Sequence, residues 1–229
     1  MPGRLWSFLI GAATALVILG GSIVPFGTPA YVRLEQDRTG VGSLMGYSGP
    51  ELDLVTNQIL GGLFLWRGDF SGAGVDGTPV LNEREQSHMR DVRGVFAGFE
   101  LLVLASVVVL VAAFRRAREQ AARAAVWRAV GSGARGLVIA LVLAGAFAVF
   151  AFDAAFEVFH RLFFSSGSYT FDPRTDRLVQ LFPERFWSET TIFVGVVAIV
   201  IAVLTAWQAS RRAGARRPAA AQSTSTVRS

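Results

Sequence analysis

His88 and His160 are the only histidines of this 229-residue chain, and each has charged groups at helical spacing. Arg84 lies four residues before His88 and Asp91 three after; Glu157 lies three before His160 and Asp153 seven. Intervals of three, four and seven put such side chains on one face of a helix. An unperturbed imidazole titrates near pH ~6.5, and a carboxylate beside it fixes its tautomer and raises its basicity. The pair can therefore act as general acid and base. A polar cluster that only solvates two helix ends is the alternative reading. The spacing lacks the paired ligands of a helical zinc motif, although Glu157 and His160 form the i, i+3 pair found in carboxylate-bridged sites. No metal and no cofactor are expected. The chain has no cysteine, which excludes disulfides, thiolate chemistry and a lipid-modified cysteine of its own.

The elements that must position these residues are membrane spans. Hydrophobic residues make up 52% of the chain, and the charges sit in blocks between long apolar runs. Crossing about 30 Å of hydrocarbon at about 1.5 Å per residue takes roughly 20 apolar residues. Stretches at about 5–24, 94–114, 136–152 and 190–207 meet that need. The fold class is thus an all-α membrane protein, a four-transmembrane-helix bundle over residues 1–209. An extracytoplasmic cap is expected from the loops after helices 1 and 3, at 31–93 and 156–189. The first stretch, from Arg4 to Pro25, is read as an uncleaved span rather than a signal peptide, because the run is longer than a usual signal core.

Orientation follows from arginine, since the chain contains no lysine. Arg115, Arg116, Arg118, Arg123, Arg128 and Arg135 collect between spans 2 and 3 around one acid, Glu119, and Arg211, Arg212, Arg216 and Arg217 follow span 4. Cytoplasmic loops carry such an excess, so both termini are expected inside and the two longer loops outside, in a bacterial inner membrane. The basic balance is an inward anchor and does not call for nucleic acid. Residues 210–229 read as a disordered basic tail.

The spans place the two histidines at one height. Asn82 and Glu85 form a capping-box pattern, so span 2 is expected to begin as a helix well outside the membrane, with His88 roughly 9 Å above the apolar run. A helix continuing from span 3 through Phe163 puts His160 roughly 10 Å above its own exit. Glu100 lies inside span 2 with Arg93 seven residues earlier, and Asp153 lies at the edge of span 3. A charge at these depths is costly, so both carboxylates are expected to face the bundle interior or a wet cavity and to be partnered. In the first outer segment, Leu54, Val55, Ile59, Leu60, Leu63, Phe64 and Trp66 fit a helical stripe. It either lies at the membrane interface, with Trp66 and Arg67 at headgroup level, or packs inside the cap. Asp172 before Pro173 marks a turn. Arg174 and Arg177 could hold a lipid or peptide group, against a reading as paired surface charges.

The stretches Leu81-Asn-Glu-Arg-Glu-Gln-Ser-His88, Phe159-His160-Arg-Leu-Phe-Phe, Phe171-Asp-Pro-Arg-Thr-Asp-Arg-Leu and Leu181-Phe-Pro-Glu-Arg-Phe-Trp resemble the bacterial four-span membrane family that includes lipoprotein intramolecular transacylase. The resemblance runs to about residue 208. It implies that two outward histidines, His88 and His160 by motif, carry an acyl transfer; Glu85, Asp91, Asp153, Glu157, Glu100 and Arg93 are the candidate supporting residues by their own position and spacing. The sn-2 acyl chain of a diacylated lipoprotein would move to the amine of its own N-terminal cysteine, with membrane lipid around the site. His88, beside Asp91 and the cap, is taken as the base, with the reverse assignment to His160 as the alternative. A non-catalytic module whose cap binds a partner is the second reading. A transporter is disfavoured, because the inner halves of the spans carry almost no ionisable residues.

Overall fold

The computed structural model describes residues 3–72, 74–75, 77–165 and 168–214. In chain order, α1 (Arg4–Ile23) leads through one 3-10 turn (Val24–Gly27) into three short helices, α2 (Pro29–Thr39), α3 (Val41–Met45) and α4 (Gly49–Phe64). A two-stranded antiparallel hairpin, β1 (Gly74–Val75) and β2 (Thr78–Pro79), precedes α5 (Glu83–Arg116). Then come α6 (Gln120–Phe150), α7 (Phe152–Phe163), α8 (Arg177–Leu181) and α9 (Glu184–Gly214). Four helices among the described residues, α1, α5, α6 and α9, are long and apolar enough to cross a membrane. The chain is an all-α, multi-pass membrane protein built on this four-helix bundle.

The α5 helix has 34 residues and so runs about 51 Å, well beyond the hydrocarbon thickness. Its first turns, with Glu83, Arg84, Glu85, Arg90, Asp91 and Arg93, are too polar for hydrocarbon and form an overhang outside it. Asn82 caps that overhang: its side chain accepts from the Glu85 N–H while the Glu85 carboxylate accepts from the Asn82 N–H, as the sequence pattern requires. At the other end, α9 is helical through Gly214. Residues 210–214 of the expected disordered tail therefore continue the helix, and residues 215–229 lie outside the described residues.

Inside the bundle α1 packs against α5, α6 and α9, and α6 packs along α9. With no hydrophobic drive between helices in lipid, close approach depends on small residues. Gly11 of α1 and Gly133 of α6 meet backbone to backbone, and Ala129, Ala134, Ala198, Ala202 and Ala209 are buried in the same seams. Two buried hydroxyls of α1 bond within their own helix, Thr14 to the Ile10 carbonyl at 2.8 Å and Ser22 to the Ile18 carbonyl at 2.7 Å, so neither donor is left unpaired in the hydrocarbon.

At one end of the bundle, the segment after α1 and the segment before α9 share a single apolar core: Val32, Val41, Leu52, Val55 and Ile59 meet Leu81, Leu178, Leu181 and Phe186. The α4 stripe is thus a packing segment of this cap; Leu54 and Trp66 point away from the core. A second, polar contact holds α2 to the first turns of α9. Arg38 pairs with Glu189 at 2.9 Å, Arg185 pairs with Glu189 at 2.7 Å, and the Tyr31 and Thr190 hydroxyls are 2.9 Å apart. Glu35 is fully buried beside them with Arg38 3.6 Å away. Burial, and then the Glu189 carboxylate, push its carboxyl above the usual carboxylate range, against the pull of Arg38.

A methyl group at Gly133 would overlap the backbone of Gly11, so Gly133→Ala must drive α1 and α6 apart. We expect it to lower stability by about 2 kcal/mol, read as a drop in thermal midpoint in detergent. Gly136→Ala, which enters open space, should melt like the parent. Equal midpoints for the two variants would refute this packing.

Candidate active site

His88 lies in the polar overhang of α5, and His160 lies on α7. The expectation that α7 simply continues span 3 is corrected: Ala151, at φ −148° and ψ 52°, breaks the helix after Phe150. The break lets α7 leave the axis of α6, and it brings the two imidazoles together with ring centroids 6.1 Å apart and planes 21° from parallel. Both rings are removed from solvent, at 6% and 9% exposure.

Around them stands an aromatic shell. Phe164 and Phe171 lie 4.8 Å and 5.4 Å from the His88 ring. Phe156, Tyr169, Phe159 and Phe164 lie 4.0, 5.0, 5.4 and 5.5 Å from the His160 ring. None of these aromatics stands among the residues singled out from spacing; the density of Phe around His160 is the one sequence signal that could have raised them. Phe156 and Phe159, at i−4 and i−1, follow from the helix, whereas Tyr169 and Phe171 arrive by a loop.

That loop is held by a carboxylate latch. Glu85 is 1% exposed; one oxygen accepts from the Leu178 N–H at 2.6 Å and the other from the Asn82 N–H at 2.7 Å. Asp176, also buried, accepts from Arg84 at 2.7 Å, from the Asn82 amide at 3.2 Å and from the Asp172 N–H at 2.7 Å. The Arg84 guanidinium also lies 5.0 Å from the Phe171 ring centroid. Glu85 thus supports the site by tying the second connecting segment to the α5 overhang one turn before His88.

The two rings differ in chemistry. The Nδ1 of His160 is 2.8 Å from the Phe156 carbonyl. A carbonyl only accepts, so the neutral ring carries its proton on Nδ1 and leaves Nε2 as a free base. His88 Nδ1 is buried without a hydrogen-bond partner among the described residues. Burial lowers the His88 imidazole to about 4, His160 adds to that, and Asp91 opposes it. His88 is therefore neutral at physiological pH.

The remaining expected site residues divide. Glu157 stays with His160 and accepts from Arg161 at 2.7 Å and from the Tyr169 hydroxyl at 3.2 Å; its carboxyl is held below the usual range, chiefly by Arg161. Asp91 is exposed on the α5 overhang. Asp153 and Glu100 are also exposed and have no ion pair among the described residues, which corrects the expectation that they face inward with partners. Along its apolar stretch α5 packs on α1 and leaves the Glu100 face outward. Arg93 turns to a separate corner, where it donates to the Gly68 carbonyl at 3.0 Å and lies 4.6 Å from the Trp66 ring centroid and 5.3 Å from that of Phe70. Trp66 is 61% exposed there, and Arg67 is exposed next to it. Arg174 pairs with Asp172 at 3.0 Å on the surface, as in the paired-charge reading, whereas Arg177 has no ion pair among the described residues and donates to the Gln180 side chain at 2.9 Å. No group of three or more possible metal ligands occurs among the described residues.

The depressed His88 value has a stability consequence. The unfolded imidazole takes a proton near 6.5 and the folded one only near 4, so stability falls as pH drops through that window, by up to about 3 kcal/mol. His88→Gln cannot charge and should lose less of its thermal midpoint between pH 7 and pH 5 than the parent. Identical pH slopes would show that His88 is not held neutral.

The profile of the family described as "Lipoprotein intramolecular transacylase Lit" matches residues 9–187. Among solved structures, the membrane integral lipoprotein intramolecular transacylase Lit from Bacillus cereus superposes with a TM-score of 0.73 at 15% identity, over 92% of this chain and 94% of that one. The same Bacillus protein with one histidine replaced by arginine gives a TM-score of 0.66 at 16% identity, over 91% of each chain. An uncharacterized protein of Aquifex aeolicus (strain VF5) is 24% identical over 129 residues, which span 56% of this chain and 56% of that relative. At these identities the structures speak for the fold, while the profile covers most of the chain from the first span to the start of the fourth. The chain belongs to the lipoprotein intramolecular transacylase family.

Proposed function

We propose that the protein is an acyltransferase that moves the sn-2 acyl chain of a diacylglyceryl lipoprotein to the α-amine of the same lipoprotein's N-terminal cysteine. The observation that carries this reading is the buried imidazole pair, one ring with a free basic nitrogen and the other held neutral, inside an apolar shell beside the membrane. Family membership supports it. A histidine is also the residue exchanged in two of the Bacillus cereus Lit structures.

In this mechanism the amine nitrogen attacks the ester carbonyl carbon, and Nε2 of His160 takes the proton that the amine loses. This reverses the assignment of the base to His88, because the Phe156 carbonyl fixes the His160 tautomer and the depressed His88 makes a poor base. Neutral His88, with its proton on Nε2, leaves only a lone pair in the dry position and donates to the oxyanion. The C–N amide bond forms, the ester C–O bond breaks, and His160 returns the proton to the departing glycerol oxygen. Donor and acceptor belong to one molecule, so holding them in line supplies much of the rate. No nucleotide is needed.

His160→Ala and His88→Ala should each reduce the N-acylated lyso-form product at least ~100-fold, read by mass spectrometry of lipoproteins from producing cells, at unchanged protein level. Undiminished product from either variant removes that histidine from the chemistry.

We also place the cap and the imidazoles on the side away from the cytoplasm, as the arginine distribution directs. Because the chain has no native cysteine, single cysteines report topology cleanly. Leu44→Cys, exposed on the cap, should react with a membrane-impermeant maleimide in intact spheroplasts, and Arg211→Cys should react only after lysis. The opposite pattern would invert the orientation.

A further inference from the structure

We propose that Tyr169 is a positioning residue for the transfer, its ring setting the imidazole of His160 and its hydroxyl anchoring that ring to α7. This rests on the acyl-transfer reading above. Tyr169 reaches the site from the loop after α7, and its ring centroid lies 5.0 Å from that of His160 with planes 39° apart. Its hydroxyl donates to Glu157 Oε1 at 3.2 Å, the same oxygen that accepts from Arg161 Nε at 2.7 Å. Glu157 sits one turn before His160, so the phenol spans the imidazole from the loop to the helix that carries it.

His160 needs such a support. Its one hydrogen bond among the described residues is to the Phe156 carbonyl of its own helix, which selects a tautomer but is a single bond that is lost if the ring turns about its Cα–Cβ bond. Helix α7 itself is joined to the bundle through the break at Ala151 and packs on little beyond α6. The Tyr169 ring, with Phe156 at 4.0 Å and Phe164 at 5.5 Å, closes the space into which the imidazole would swing. Nε2, the nitrogen that the Phe156 carbonyl leaves unbonded, then keeps one direction. A base displaced by about 1 Å from its line to the amine loses about 100-fold in rate.

The experiment compares Tyr169→Phe, Tyr169→Ala and His160→Ala in the full-length protein in detergent-lipid micelles, assayed on a synthetic diacylated lipopeptide. Tyr169→Phe, which keeps the ring, should retain kcat within about threefold. Tyr169→Ala should lose kcat by at least tenfold with KM within twofold, and its thermal midpoint should stay near the parent's. Imidazole 15N NMR separates positioning from packing: the His160 resonances should keep the split values of one tautomer in the parent and in Tyr169→Phe, and move toward their average in Tyr169→Ala. Parent-like kcat, or parent-like His160 resonances, in Tyr169→Ala overturns the proposal while an inactive His160→Ala leaves the acyl-transfer reading standing. A fully active His160→Ala overturns both.

Discussion

A buried carboxylate at Glu85 holds the two halves of the site together. It accepts one N–H from the residue that caps its own helix and one from Leu178, and so joins a helix that begins a membrane span to the first turn of α8, 93 residues later. Charge-assisted hydrogen bonds of this kind are short and strong, and removing the acceptor would leave two backbone donors dry. Asp176, taking Arg84, Asn82 and the Asp172 N–H, repeats the device one residue before α8. Through these two acids the loop that carries Tyr169 and Phe171 is laid over the imidazoles.

The membrane explains why the site is built this way. Spans have no hydrophobic drive to associate, so the bundle closes through small residues, as at Gly11 and Gly133. Such seams bring two helix backbones into contact where the glycines meet. The cap, in contact with water, can bury apolar residues in the ordinary way, and its core of Val41, Leu52, Val55, Ile59 and Leu181 gives the polar latch a rigid support. The imidazoles fall where the two regimes meet. In the acyl-transfer reading that is where an acyl ester would arrive from lipid, and burial there lowers the His88 imidazole.

Depth in the membrane is a poor guide to whether a carboxylate points inward. Glu100 and Asp153 were expected inside because a charge in hydrocarbon is costly, yet both lie on open faces. The direction a residue points depends on which neighbours its helix finds, and α5 packs chiefly against α1. Arg93, matched to Glu100 by register, instead serves the corner made by Trp66, Phe70 and the Gly68 carbonyl.

Much of this protein is legible from its residues alone, because local physics sets it. Apolar length gives the four spans, the Asn82 and Glu85 pair gives the start of α5, and the charged neighbours at helical spacing single out His88 and His160. What the tertiary structure decides is everything that depends on helix direction after a break and on contacts distant in sequence. No pattern marks Ala151 as the point where α7 departs, and no spacing foretells that Leu178 donates to Glu85 or that Tyr169 lands on His160. The roles of the two rings follow from such contacts. One carbonyl sets the His160 tautomer and burial discharges His88, and both are properties of surroundings that only folding assembles.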